Sequence, residues 1–237
     1  MSRKRLTIII IILAALVSGC VYVSVRSAAV GGCLPGMVYI PEGRFVTGVD
    51  MKQVEYLMDV CSESIGSCYK SWFMRETPRH IVKHRAFCID KYEFPNIQGA
   101  APQQANGWKS AEKQCEARGK RLCAEYEWER ACLSTWEYNW SFGDKYEDGA
   151  CNIYTGEVEE TGMRPECRSF ENVMDLNGNM SEWVYDSAPP GEGKKTKIVK
   201  GGSYRDHPIF TRCTYKDYRD MRDEAAEIGF RCCSSPK

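Results

Sequence analysis

The chain has 237 residues, of which 43% are hydrophobic and 27% charged, with 32 basic side chains balanced by 32 acidic ones, 13 cysteines and only three histidines. A formal charge of zero excludes a protein built to hold nucleic acid, and the apolar content excludes an intrinsically disordered chain. The cysteine count excludes an ordinary cytosolic protein and points to an oxidising compartment.

Arg3, Lys4 and Arg5 precede an apolar run from Leu6 to Val17 that ends in Val17-Ser18-Gly19-Cys20. This is the pattern of a bacterial export signal with a lipobox, and its run of about a dozen residues is shorter than the roughly 20 that cross a bilayer. Residues 1–19 are read as a signal peptide, Cys20 as the lipidated residue, and 20–35 as a tether with small residues such as Ser24, Ala28 and Gly31. An uncleaved anchor is the alternative. No acidic residue follows Cys20 (Val21-Tyr22-Val23), so the expected location is the outer membrane of a bacterial envelope, facing the periplasm or the cell surface. Loss of the signal would leave 29 basic against 32 acidic residues. The remaining length suits one domain, residues 36–237.

Met37 to Phe45 alternates around Pro41-Glu42 and reads as two short strands, and residues 50–75 interrupt the pattern as an insertion carrying Cys61 and Cys68. Those cysteines, seven apart, can close a small loop. Trp72, Phe73 and Met74 in the insertion are either an exposed binding patch or core. Glu76 to Glu93 reads as one further strand; His80 and His84 would lie roughly 13 Å apart along it, too far to share a metal ion. A helix capped by Ser110 is expected through Arg118, stopped by Gly119, and a second from Ala124 to Leu133. From Trp140 to Lys200 periodicity largely vanishes. The expected fold class is α+β, with two helices, short antiparallel strands, long loops and many disulfides.

With Cys20 assigned to lipid, twelve cysteines remain, and six disulfides are expected. No Cys-x-x-Cys pair occurs, so a structural zinc site is not. In Asn172 to Trp183, Asp175 and Glu182 offer hard anionic oxygens around the turn Asn177-Gly178-Asn179, which suits a calcium ion; an Asx-turn held by hydrogen bonds is the alternative.

Five motifs occur in order: Arg121-Leu122, Glu125-Tyr126-Glu127-Trp128-Glu129, Asn179-Met180-Ser181-Glu182-Trp183-Val184, Gly201-Gly202-Ser203-Tyr204 and Ile228-Gly229-Phe230-Arg231-Cys232. In these the chain resembles the formylglycine-generating enzyme (sulfatase-modifying factor) family, whose fold is similar to that of C-type lectins. The resemblance implies structural calcium held by Asp175, Gly178, Met180 and Glu182. It implies a second ion at Asn152 and Ile153, where only Glu159 or Glu160 could supply the carboxylate and a Cys151–Cys167 disulfide could replace part of the ion's role. It also implies disulfides Cys115–Cys232 and Cys132–Cys213, leaving Cys33, Cys88, Cys123 and Cys233 to pair among themselves. Where family members carry Pro-Thr before the second helix, this chain has Cys123-Ala124, losing a capping hydroxyl that a disulfide from Cys123 could offset.

The family's enzymes hold Cu(I) between two cysteine thiolates. The matching positions here are Asp206 and Thr211, and Cys213 is assigned to a disulfide, so copper-dependent thiol oxidation is not expected. The pocket region would offer Trp183, Arg205, Asp206, His207 and Arg219; adjacent Asp206 and His207 would point to opposite faces of a strand, which favours surface hydrogen bonding over acid/base work. The expected function is a non-catalytic, lipid-anchored binding or scaffold component of the cell envelope, with the membrane and other envelope proteins as partners. The alternative is a periplasmic oxidoreductase of the same superfamily with a rebuilt active site, acting on an exported peptide or small molecule.

Overall fold

The computed structural model describes residues 32–193 and 195–237. The signal peptide, Cys20 and the tether as far as residue 31 lie outside the described residues.

The expected strands around Pro41 form as β1 (Met37–Ile40) and β2 (Gly43–Thr47), but they enter different sheets. The single strand expected over 76–93 is two, β3 (His80–His84) and β4 (Phe87–Asp90): the break at Arg85-Ala86 lets β3 pair with β2 while β4 pairs with β1.

The insertion is helical, which corrects the two-helix expectation to four α-helices among the described residues. α1 (Met51–Ser64) begins with a capping box in which Asp50 Oδ1 accepts from Gln53 N–H and Gln53 Oε1 accepts from Asp50 N–H, each at 2.9 Å. Val54, Leu57 and Cys61 form its buried stripe at helical spacing. α2 (Lys70–Met74) follows, tied to α1 by the Cys61–Cys68 disulfide. Of the three residues read as a patch or core, Phe73 is fully buried and Trp72 packs edge-on to Phe210, while Met74 is 39% exposed.

α3 (Trp108–Glu116) starts two residues before Ser110, with Gly107 at its N-cap and no capping side chain; Gly119 ends the turn that follows, at φ +67°. α4 (Glu125–Leu133) lacks the family's capping threonine, and Asp186 supplies the oxygen from across the fold: its Oδ2 accepts from Glu125 N–H at 2.6 Å, while Glu127 Oε2 accepts from Ala124 N–H at 2.9 Å.

The remaining strands are β5 (Arg121–Leu122), β6 (Ser181–Ser187), β7 (Thr196–Lys200), β8 (Lys216–Asp220), β9 (Ile228–Phe230) and β10 (Cys232–Ser234). One sheet runs β1-β4-β10-β5 and another β8-β7-β6-β9, the β6–β9 pair being parallel rather than antiparallel. Trp128 of α4, Phe87, Ile89, Val184 and Ile198 share the main core between them; Trp108, Leu122, Trp183 and Phe230 make a second. A third cluster joins α1 and α2 to Ile209 and Phe210, so the insertion is packed onto the domain.

All twelve described cysteines are paired: Cys33–Cys88, Cys61–Cys68, Cys115–Cys232, Cys123–Cys233, Cys132–Cys213 and Cys151–Cys167. Cys232 and Cys233 are adjacent in a strand and project to opposite faces, so one bonds α3 and the other the residue preceding the N-cap of α4.

His84 is buried edge-on between Phe45 and Phe87, its Nδ1 3.1 Å from the Arg85 carbonyl oxygen and its Nε2 without a partner among the described residues. Burial pushes its pKa below 6.5, partly offset by that backbone hydrogen bond. The unfolded state therefore takes up a proton first on acidification, so stability is lost as the pH falls through about 6.5 toward the lower native value. Replacing His84 with Phe should flatten this part of the profile, as read from urea midpoints at about pH 7.5 and about pH 5.

Candidate functional site

Four residues of the Asn172–Trp183 segment sit in the left-handed region: Asn172 (φ 67°), Asp175 (57°), Gly178 (76°) and Asn179 (52°). At Gly178 a Cβ would lie 2.3 Å from the Asn152 carbonyl oxygen, so only glycine fits. The flanking asparagines fasten this tight path. Asn177 Nδ2 donates to the Thr211 carbonyl at 2.6 Å and its Oδ1 accepts from Ser141 N–H at 2.8 Å. Asn179 Nδ2 donates to Glu93 Oε2 at 2.7 Å, and its Oδ1 accepts from Asn152 Nδ2 and Glu159 N–H, both at 2.9 Å.

Glu182, predicted as a calcium ligand, is committed elsewhere. Arg231 donates to it through Nε (2.7 Å) and Nη2 (2.6 Å), and Trp128 Nε1 donates to Oε2 at 2.7 Å. The same guanidinium reaches the carbonyls of Asp90 (3.3 Å), Lys91 (3.4 Å), Met174 (2.9 Å) and Asp175 (3.4 Å). Asp175 keeps one oxygen on Gly162 N–H at 2.7 Å; burial, opposed by that bond and by Arg231, pushes its pKa up to about 6. Glu93 is held well above the usual carboxylate range, first by burial and then by the charges of Asp175 and Glu182. Of the expected calcium set Asp175, Gly178, Met180 and Glu182, the Glu182 carboxylate therefore already faces a guanidinium and an indole, while Asp175, Glu93 and Glu182 lie close enough for their charges to act on one another. Among the described residues no three His, Cys, Asp or Glu side chains are placed to hold a metal ion.

The segment of the second expected ion is likewise held by an arginine. Arg164 binds Glu159 through Nε (2.8 Å) and Nη2 (2.6 Å) and uses Nη1 to hold the carbonyls of Gly149 (3.0 Å) and Cys151 (2.9 Å). Glu159 is thereby held ionised, its pKa lowered chiefly by the hydrogen bonds from Arg164. Asn152 Oδ1 accepts from the Thr155 hydroxyl and its Nδ2 donates to the Glu157 carbonyl. The loop at the expected Asn152–Ile153 ion site is thus held by an arginine and by the Cys151–Cys167 disulfide.

The predicted pocket residues do not converge. Trp183 is fully buried, and its Nε1 has no partner among the described residues. Arg205 extends to within 4.0 Å of Glu227. Asp206 Oδ2 accepts from the Ser203 amide and hydroxyl, both at 2.8 Å, and Asp206 lines a small cavity of about 30 Å³ that Arg219 also borders. Burial lowers the pKa of His207, which faces a different and much larger cleft of about 760 Å³. Thr211, at the position of the family's second copper ligand, is fully buried; it accepts from Trp140 Nε1 at 3.1 Å and donates to the Pro208 carbonyl at 2.8 Å.

The large cleft was not legible in the sequence. It opens between α1, the 139–146 loop and residues 207–212, over a floor of Val49, Leu57 and Ile209. Tyr56 stands on its α1 wall with 66% of its surface exposed. An aromatic residue on the polar side of the helical stripe Val54-Leu57-Cys61 is the one sequence signal that could have marked it.

Residues 95–236 match the family of the sulfatase-modifying factor enzyme 1-like domain. Inactive C-alpha-formylglycine-generating enzyme 2 of Mus musculus is 26% identical over 148 residues, covering 54% of this chain and 47% of that protein. Its counterpart from Bos taurus is 25% identical over 166 residues, covering 61% and 52%. The chain thus spans about half the length of the curated relatives it matches. PvdO from Pseudomonas aeruginosa shares the fold with a TM-score of 0.63 at 19% identity, covering 84% of this chain and 94% of that one. Treponema denticola variable protein 1 does so with 0.64 at 12%, covering 84% and 95%.

If arginines close both loops, millimolar calcium or a chelator should leave the melting temperature unchanged. A site filled at about 100 times its dissociation constant would instead add about 2.7 kcal/mol. Differential scanning calorimetry with and without calcium separates the two cases. Glu182→Gln should cost about 3–5 kcal/mol in chemical denaturation, because it leaves the buried Arg231 charge without a counter-charge.

Proposed function

The chain belongs to the sulfatase-modifying factor enzyme 1-like family, and on that premise we propose that it is a non-catalytic member acting as a lipid-anchored binding component of a bacterial envelope. The observation that carries the first part is the chemistry at the family's copper positions. Asp206 is folded back onto Ser203, Thr211 is sealed under Trp140, and the neighbouring Cys213 thiol is spent in the disulfide to Cys132. Among the described residues no thiol is free to ligate Cu(I) or to be activated for attack. The curated relatives described as inactive are in keeping with this. A binding role is supported by the large cleft, which has an apolar floor and an aromatic wall.

The lipid anchor is supported by the basic stretch Arg3-Lys4-Arg5, the apolar run and Val17-Ser18-Gly19-Cys20. Delivery to the outer membrane follows from the residues after Cys20, and the cleft then faces other envelope proteins.

Two measurements test this reading. The mature protein, alkylated under denaturing and non-reducing conditions, should show no free thiol by intact mass. Supplied with Cu(I) and oxygen, it should leave a cysteine-containing peptide unoxidised, and turnover of that peptide would establish the rebuilt oxidoreductase instead. In a fractionated bacterium, Cys20→Ser should move the protein out of the detergent-soluble membrane fraction or trap its precursor. Unchanged membrane retention of a processed chain would refute lipidation at Cys20.

A further inference from the structure

We propose that the cleft beneath the insertion is a groove for a proline-rich segment of a partner protein, bound in the polyproline II conformation. This rests on the reading of the chain as a binding domain and names the chemistry of its partner.

Shape comes first. The cleft of about 760 Å³ shares Val49, Gln53 and Asn139 with a smaller hollow of about 70 Å³ that Tyr138 also lines. The opening is therefore elongated and suits a linear chain. The walls of the main cleft are a helix and loops rather than a strand edge, so an added β-strand would find no ladder to join.

The side walls carry aromatic rings. Tyr56 stands exposed on α1, and on the opposite side Trp140 is held by its indole bond to Thr211 and flanked by Phe142 at 6.2 Å and Tyr146 at 5.8 Å. Trp140 and Tyr146, held in this cluster, line the cleft at little entropic cost, and pyrrolidine rings pack in aromatic-lined grooves.

Hydrogen bonding favours the same ligand. Gln53 Oε1 is occupied by the Asp50 N–H, which leaves its Nε2 as a donor without a partner among the described residues. A polyproline II chain has unpaired carbonyls to receive such a donor, and its prolines bring no N–H that would need an acceptor.

Charge decides against the competing occupants. Asp144 and Lys145 are adjacent and cancel, and Arg212 is neutralised by Glu76 at 2.6 Å. His207, the other basic group at the cleft, is kept neutral near pH 7 by burial. A groove without net charge is complementary to an uncharged chain and offers nothing to phosphate, nucleic acid or an anionic lipid surface.

The test uses the mature chain, titrated with a polyproline peptide of about ten residues and with an alternating Ala/Ser peptide of equal length, followed by tryptophan fluorescence and calorimetry. Saturable binding of polyproline is expected, with the control at least about tenfold weaker. Tyr56→Ala, at an exposed helix position, should weaken polyproline binding about tenfold without changing the melting temperature. No saturable binding, equal binding of the control, or an unaffected Tyr56→Ala variant would each overturn the proposal. The thiol and peptide-oxidation measurements are independent of this titration. A failed groove with no oxidation leaves the non-catalytic reading standing, whereas oxidation sinks that reading whatever the peptide does.

Discussion

Arg231 and Glu182 form an ion pair with neither partner exposed, and the arrangement of the loops around it depends on that pair remaining intact. A buried guanidinium is tolerable only if its hydrogens are met, and this one is met by a carboxylate, by carbonyls of Asp90 and Lys91 at the end of β4, and by carbonyls of Met174 and Asp175 in the loop before β6. Segments far apart in sequence are thus fixed to one cation that the chain itself carries. Trp128 adds its indole to the same carboxylate, which seats α4 against β6. Arg164 repeats the device on a smaller scale between Glu159 and the 149–151 turn.

The insertion is joined to the domain by equally specific chemistry. Arg212 reaches Glu76, just beyond α2, through Nη1 and Nη2 at 2.9 and 2.6 Å, and Thr214 donates to the same carboxylate at 2.6 Å. Phe210 meets Trp72 edge-on and stacks on Phe73. The segment that carries the copper ligands in the family's enzymes has here become the seat of an added helical layer, and the cleft is the space left between that layer and the 139–146 loop.

What could be read in advance follows the physics of each signal. α4, the short strands and the glycine turn at Gly178 are local features, written in spacing and in residues that only one backbone path accepts. The insertion helix was legible in principle, through Asp50, Gln53 and the Val54-Leu57-Cys61 stripe, but its interruption of a strand pattern masked the change of period. The partner of Glu182 is something no local pattern contains: Arg231 lies 49 residues away in sequence, and a carboxylate that looks like a ligand within one segment is also the counter-ion of another. The cleft was the least legible of all, because its walls come from three distant segments and its chemistry lies in what those segments leave unfilled.

β10 lies between β4 and β5, so the middle of one sheet is supplied by residues 232–234, about a hundred positions beyond the strand on one side and more beyond the other. Until that stretch arrives, β4 and β5 face an empty slot, Glu182 lacks its cation, and Cys115 and Cys123 lack the partners that Cys232 and Cys233 bring. The domain therefore cannot close piecemeal from its N-terminal side. Its centre is completed last, by the far end of the chain.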